Sequence, residues 1–453
     1  MLVAKFGGTS VKDEIAISRL FDIIHNRKGN IIVVVSAMSK VTDGLINIIN
    51  ELRSNNLINA LHSLNLIFDR HCEVALKLGL SESVINYFET KRSEMEQLIK
   101  ALNVLGEVSP KSYDMIVSTG EILNSYLITE YFILKKENAN HIDSRHFIKT
   151  DSNFCEANVD FGSTFKKCQK LLTQKIKEYR VLICGGFIAS DKDSTTTTLG
   201  RGGSDYSAAI IASAMNADNL EIWTDVSGIM TSDPRLIKNA RIIKELTYTE
   251  AAELAYFGAK VLHPKTIHPA VKDQIPVWVK NSYDPDHPGT KIVSDSKHKK
   301  IIKAIAFRKN ITVISVNSNR MLGAYGFLSK VFEVFSRFET SVDIVTTSEV
   351  SISLTIDDDK YLNQIKKELQ KIGDIEVKKD YAIICSVGEG IRDTAGIAAK
   401  FFGVLKGVNI LMVSIGASEV NISIIIKESD LEKAVTLLHS EFFDNVKDKN
   451  IFY

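Results

Sequence analysis

The chain has 453 residues, 45% apolar and 25% charged, with 56 Lys and Arg against 55 Asp and Glu. That length holds roughly two to four domains, and a net charge of +1 excludes a global basic footprint for nucleic acid and a polybasic membrane patch. Any anion binding must therefore be local. The cysteines, Cys72, Cys155, Cys168, Cys184 and Cys385, are scattered and contain no C-x-x-C pair, which argues against a disulfide framework or a zinc site. Cys184 and Cys385 lie in apolar runs and read as packed thiols. With no apolar run of membrane-spanning length and no signal-peptide layout, a cytoplasmic location is expected.

In chain order, short apolar runs at 2–6, 31–35, 181–184, 220–224 and 277–279 read as buried strands. Helix-like segments at 43–53, 83–105 and 204–215 lie between them. Strands alternating with helices predict an α/β domain with a largely parallel sheet, whose ligands bind beyond the carboxyl ends of the strands. The glycine motifs are expected just after strand-like runs. The polar stretch 281–300, with Pro285, Pro288 and Gly289, reads as a domain boundary. Beyond it, Ser348-Glu349-Val350-Ser351-Ile352-Ser353 returns seventy positions later as Ser418-Glu419-Val420-Asn421-Ile422-Ser423. Each copy follows a helix-like stretch (327–338 and 396–406) and ends in alternating apolar residues, so the repeat unit reads strand, helix, strand, strand.

The segment Lys5-Phe6-Gly7-Gly8-Thr9-Ser10 places a lysine and two glycines at the end of a strand, an arrangement that lets backbone N–H groups approach an anion. Four more segments follow: Ser118-Thr119-Gly120-Glu121; Gly200-Arg201-Gly202-Gly203-Ser204-Asp205; Trp223-Thr224-Asp225-Val226-Ser227-Gly228 running on to Ser232-Asp233-Pro234-Arg235; and Phe257-Gly258-Ala259-Lys260-Val261-Leu262-His263-Pro264. In this order and spacing they resemble the aspartate kinase family, from about residue 2 to near the C-terminus. Within that family the chain resembles the monofunctional, lysine-sensitive type, and with its end at Tyr453 no fused homoserine dehydrogenase is expected.

The resemblance implies an amino-acid-kinase catalytic domain over 1–285 and a tandem ACT regulatory region over 301–453. The first ACT unit would take 315–380; the second would take 381–453 with 301–314. It implies ATP with Mg²⁺ as cofactor, L-aspartate as substrate and phosphoryl transfer to its side-chain carboxylate. That acceptor is already ionised at neutral pH. The site then needs charge neutralisation and positioning more than a strong base, and no metal ligand is named. On the nucleotide, the resemblance places Lys5, Phe6, Gly7, Gly8, Thr224, Asp225, Met230, Arg235, Lys260 and Val261, with Met230 standing where many relatives carry a tyrosine. Lys5, Asp205 and Lys260 are the catalytic candidates; without the motifs, Asp205 is a first-turn helix acid, Lys260 a surface lysine and His263 structural. Arg201 suits the α-carboxylate of aspartate through two parallel hydrogen bonds, and Glu121 suits its ammonium. Ser36, Thr42, Gly202, Gly203 and Ser204 complete the substrate set.

Lysine-sensitive members bind lysine between ACT segments at a dimer interface. The matching residues here are Met321, Ala324, Gly326, Phe327, Leu328, Val342, Asp343, Ser348 and Glu349. Asp343 and Glu349 would meet the two ammonium groups, and the N–H groups near Gly326–Leu328 the carboxylate. Threonine is the alternative effector. A homodimer or homotetramer through the ACT domains is expected, without nucleic-acid or membrane partners. Two other functions stay open: a kinase of the same superfamily acting on another amino-acid carboxylate, and a catalytically silent amino-acid sensor.

Overall fold

The computed structural model describes residues 1–258, 264–296, 301–318, 321, 325–444 and 451–453. In chain order the first strands and helices are β1 (Leu2–Phe6), α1 (Glu14–His25), β2 (Ile31–Val35), α2 (Val41–Arg53), α3 (Leu57–Lys77), α4 (Glu82–Leu105), α5 (Pro110–Val117), α6 (Thr119–Leu134), β3 (Ala139–His141) and α7 (Phe161–Glu178). Then come β4 (Val181–Gly185), β5 (Ile188–Ser190), β6 (Thr196–Thr198), α8 (Gly203–Ala214), β7 (Asn219–Thr224), β8 (Glu245–Thr247), α9 (Tyr248–Tyr256), α10 (Pro264–Lys272), β9 (Val277–Asn281) and β10 (Thr290–Val293). The last are β11 (Ala304–Asn317), α11 (Phe327–Arg337), β12 (Val345–Thr347), β13 (Ser351–Ile356), α12 (Leu362–Leu369), β14 (Asp374–Val387), α13 (Ile397–Val404), β15 (Ile410–Ile415), β16 (Asn421–Lys427) and α14 (Leu431–His439). No helix among the described residues is long and apolar enough to cross a membrane.

The chain forms two compact units, Met1–Ile229 with Val261–Asp295, and Met230–Lys260 with Ser296–Tyr453. It therefore passes between them three times. One passage falls inside the polar stretch 281–300, but that stretch also carries β10, paired antiparallel to β9, so it is not merely a connection. The excursion over 230–260 has no compositional signal.

In the first unit the strands run in the order β3-β4-β2-β1-β7-β9-β10, parallel up to β9. β2 and β4 are buried at every position, as expected for parallel strands covered on both faces. In β1, Ala4 and Phe6 face a core that includes residues of α1, α2, α3 and α6, so the period of two turns Lys5 the other way. α8 is apolar or small nearly all round and is buried along most of its length. Cys184 and Cys385 are buried, and burial pushes both thiols up, in line with packed, unreactive groups.

The second unit holds a six-stranded antiparallel sheet in the order β12-β13-β11-β14-β16-β15. The 14-residue strands β11 and β14 pair from Ala304↔Val387 to Asn317↔Asp374, with irregularities between Arg308 and Val313. The later half of β11 pairs with β13, and the later half of β14 pairs with β16. Each long strand thus serves both copies of the repeat, and the two ferredoxin-like α+β modules interleave. The repeated Ser-Glu-Val segments form equivalent turns, between β12 and β13 and between β15 and β16. The alternating residues Ile352, Leu354, Ile356, Ile422, Ile424 and Ile426 are all fully buried.

Candidate functional site

The parallel register brings four strand ends to one rim: Phe6 lies beside Val35 and Trp223, and Val35 beside Gly185. The backbone ladder continues past the strands. Gly7 N–H donates to Trp223 O (3.1 Å), Ser36 N–H to Phe6 O (3.1 Å) and Gly186 N–H to Val35 O (2.8 Å). The loops after β1, β2 and β4 therefore leave the sheet together. Two glycines close the walls. A Cβ on Gly186 would lie 2.7 Å from Ser204 Cα, and one on Gly120 would lie 2.7 Å from Ala37 Cβ. Any side chain there would push the start of α8 or of α6 away from the loops.

These elements enclose a cavity of about 570 Å³. Its wall contains Lys5, Gly8, Ser36, Thr42, Glu121, Arg201, Gly202, Gly203, Ser204 and Asp205 of the residues singled out from the sequence. Lys5 Nζ lies 2.6 Å from Asp205 Oδ1, with the two side chains 12% and 15% exposed. Asp205 sits in the first turn of α8, whose N-cap Gly202 adopts φ +73°. Glu121 is buried; its Oε1 accepts from Ala37 N–H (3.2 Å), while Oε2 has no partner among the described residues. Burial pushes its pKa up to about 8, against the pull of Ala37 N–H and the Lys5 ammonium. Asn124 Nδ2 donates to Ser36 O (2.6 Å) and fixes the loop opposite. The cavity thus offers cations and acids on separate segments, which suits a small molecule bearing both charges.

Other expected residues lie elsewhere. The Phe6 ring is stacked on Trp223 in the core (5.7 Å between centroids), so only its backbone remains for a ligand, and its carbonyl is taken by Ser36. The Gly7 N–H expected to hold phosphate is spent on Trp223 O. Thr224 ends β7 and Asp225 follows it, both outside the cavity wall, and Thr224 Oγ1 donates to Asp225 Oδ1 (3.1 Å). Their place matters, because the chain leaves β1 toward β2 and β7 toward β9. The connections diverge between β1 and β7, the kind of point where open α/β sheets bind ligands. Met230 and Arg235 belong to the second unit, Met230 bridging to Ile242. The Arg235 side chain is 88% exposed and folds back on Asp233 of its own turn (2.5 Å). Lys260, Val261 and His263 lie outside the described residues. Nor do all glycine motifs follow sheet strands: Gly200–Gly203 follows β6 of a separate hairpin with β5, and Gly258 follows α9.

The wall also contains residues that motif reading passed over, Lys40, Asp43, Tyr113, Cys155, Glu156 and Phe187 among them. Lys40, at φ +69° before α2, lies within the same short segment as Ser36 and Thr42 and was findable there. Tyr113 and Cys155 come from stretches with no motif.

In the second unit, the expected effector residues divide. Phe327 is in the core, with Met321 and Val342 packed against it. Gly326 (φ +76°) caps α11, and Leu328 is exposed. Ser348 and Glu349 sit exposed in the β12–β13 turn, where Ser348 Oγ meets Ser351 Oγ at 2.7 Å. Asp343 already has partners: its Oδ1 accepts from Tyr256 OH (2.8 Å) and lies 3.1 Å from Arg308 Nη1. Burial raises its pKa, partly offset by Tyr256 and Arg308. Ala324 lies outside the described residues. Arg308 also bonds Asp357 (2.6 Å) and the carbonyl of Tyr256.

Comparison with known proteins agrees with this architecture. The amino acid kinase family model matches residues 1–281, and an ACT domain model matches 384–442. The chain is 36% identical to lysine-sensitive aspartokinase 3 of Escherichia coli, covering 98% of this chain and 99% of that one. It is 37% identical to the chloroplastic aspartokinase 1 of Arabidopsis thaliana, covering 98% and 80%. Among solved structures, Escherichia coli aspartokinase III with lysine and aspartate (T-state) superposes with TM-score 0.82 at 36% identity, covering 98% of this chain and all of that one. The aspartate and ADP complex of the same enzyme (R-state) gives 0.81 at the same identity and coverage. Clostridium acetobutylicum aspartate kinase gives 0.85 at 30% identity, again covering 98% and 100%. The chain belongs to the aspartokinase family, within the amino acid kinases.

Proposed function

We propose that this member of the aspartokinase family transfers the γ-phosphoryl group of ATP to the β-carboxylate of L-aspartate, giving 4-phospho-L-aspartate and ADP. The step would open the pathway to lysine, threonine and methionine. The observation that carries the reading is the convergence of Lys5, Asp205, Arg201 and Glu121 on one cavity at the carboxyl end of a parallel sheet. The guanidinium of Arg201 grips the α-carboxylate, Glu121 takes the ammonium, and the β-carboxylate is left toward Lys5. The nucleotide lies over the ends of β1 and β7, with Thr224 and Asp225 on its nucleoside side and Lys5 and the Gly8 turn at its phosphates. Lys5, oriented by Asp205, meets the charge that builds on the moving phosphoryl group. Asp205 would be a cavity carboxylate available to a Mg²⁺ ion carried by the nucleotide, which would neutralise phosphate charge while keeping most of its waters.

The catalytic domain spans 1–285 and the interleaved ACT modules 301–453, through which the chain forms a cytoplasmic homodimer or homotetramer. L-Lysine inhibits by binding the ACT region at Asp343, Glu349 and the start of α11, stabilising a less active state. The names of the Escherichia coli enzyme and of its lysine complex support that choice of effector. Because Asp343 is held by Arg308 and Tyr256, an incoming ammonium must share or replace those partners.

The test is ADP release with Mg-ATP and L-aspartate, against L-glutamate, with and without millimolar L-lysine. Aspartate-specific turnover suppressed by lysine is expected. Turnover without suppression retains the kinase and rejects the effector; no turnover with aspartate rejects the kinase reading.

A further inference from the structure

Asp114 lies on α5, fully buried and outside the five motif segments quoted above. Its carboxylate accepts from Cys155 N–H at 3.1 and 3.0 Å, from Thr198 N–H at 3.0 Å and from the Thr198 hydroxyl at 2.7 Å. The donors come from two segments distant in sequence, and both run directly into the cavity wall. Cys155 and Glu156 line it, and three residues beyond Thr198 the chain reaches Arg201. Tyr113 and Val117, on the same helix as Asp114, line it too.

The path from Thr198 to Arg201 is short and tied at each step. Leu199 N–H donates to Phe187 O (3.0 Å), and Gly203 N–H to Gly200 O (3.0 Å). Gly200, at φ +69°, packs so closely on Glu156 that a Cβ would lie 2.9 Å from its Cγ. Arg201 itself is exposed to the cavity, and among the described residues no side chain or carbonyl holds its guanidinium. The backbone of its turn therefore fixes where its side chain starts, and nothing else among the described residues holds it. We infer that Asp114 is a positioning residue for substrate binding: it anchors Thr198 and so holds Arg201 where the substrate's carboxylate arrives. This rests on the proposed role of Arg201. A carboxylate serves best because three of the four contacts are from N–H groups; an amide keeps its oxygen on two of them and can donate to the Thr198 hydroxyl, but it loses the second contact with Cys155 N–H and the charge that strengthens the set.

The test is steady-state ADP release by the full chain carrying Asp114→Asn, Thr198→Val, Thr198→Ser or Arg201→Ala, and by the Asp114→Asn/Arg201→Ala double variant. Asp114→Asn and Thr198→Val are expected to raise the KM for aspartate about tenfold, with kcat and the KM for ATP changed less than about threefold. Thr198→Ser should restore the parent value. In the Arg201→Ala background, Asp114→Asn should add less than about a twofold loss, because the two act through one contact. A folded Asp114→Asn enzyme with the parent KM for aspartate overturns the positioning role, as does a full additional loss in the double variant. If Asp114→Asn does not fold, Thr198→Val decides by the same readout. An unchanged KM for aspartate in Arg201→Ala instead removes Arg201 from the site, and the inference falls with it.

Discussion

Each unit contains a lysine–carboxylate pair in its interior, and the two pairs differ in what surrounds them. In the second unit, Lys303 and Glu250 are both completely buried, 2.9 Å apart. Glu250 is saturated: Oε2 also accepts from Thr247 N–H (2.8 Å) and Oε1 from Glu389 N–H (2.9 Å). Together with the Thr247 cap, this ties α9 to the segments flanking β11 and β14. In the first unit, Lys5 and Asp205 are closer, 2.6 Å, but both open onto the cavity, and the neighbouring Glu121 keeps one oxygen without a partner among the described residues. A sealed and saturated pair has no capacity left for a ligand and serves the fold. An open pair beside unsaturated acids keeps its capacity, at a cost in stability that substrate binding can recover.

Four substitutions would break or sharpen that contrast. Lys5→Ala should lower kcat by about 10³-fold, with aspartate KM much less affected, since it removes transition-state charge stabilisation. Its unfolding midpoint should move little; steady-state ADP release and a thermal melt check both halves. Lys303→Ala should do the reverse, costing about 3–5 kcal/mol in urea unfolding because it strands a buried carboxylate. A Lys303→Ala enzyme as stable as the parent would remove the distinction between the pairs. Arg201→Ala should raise the aspartate KM about 10–100-fold while leaving kcat within about threefold, as loss of a bidentate charge-assisted contact predicts.

The smallest effect concerns pH. Glu121 has its folded pKa raised from 4.5 to about 8. Between those values the folded protein holds a proton that the unfolded chain has released, so this group's contribution to stability falls as pH rises through the window. Glu121→Gln should flatten that fall, seen as a smaller drop in urea midpoint between pH 5 and pH 8 than in the parent. Aspartate binding at pH 7 should also release a proton from Glu121, because an ammonium beside it favours the charged form. Titration calorimetry in buffers of different ionisation enthalpy measures that release, and Glu121→Gln should abolish it.

Some of this was legible from the residues. Alternation and fully apolar runs set β1, β2 and β4, since burial on one or both faces leaves a period in the sequence. The glycines around Arg201 marked a turn before a helix, because their backbone angles exclude most side chains. The seventy-residue repeat revealed two modules. Their interleaving through shared halves of β11 and β14 is not marked in composition: β14 passes from a polar, largely exposed half (374–380) to an apolar, buried one (382–387), but that change does not say which partner strand each half takes.

What the sequence determined by itself was local: which segments are strands, which turns need glycine, and that a lysine, an arginine and acids occupy ligand-facing motifs. Only the tertiary structure decided which of those groups meet. It spent the Gly7 amide on Trp223, gave Asp343 to Tyr256 and Arg308, and drew residues 230–260 into the second unit. It also placed Asp114 under Cys155 and Thr198, 41 and 84 positions away. Hydrogen-bond saturation and burial are properties of neighbours brought from distant parts of the chain, and no window of sequence contains them.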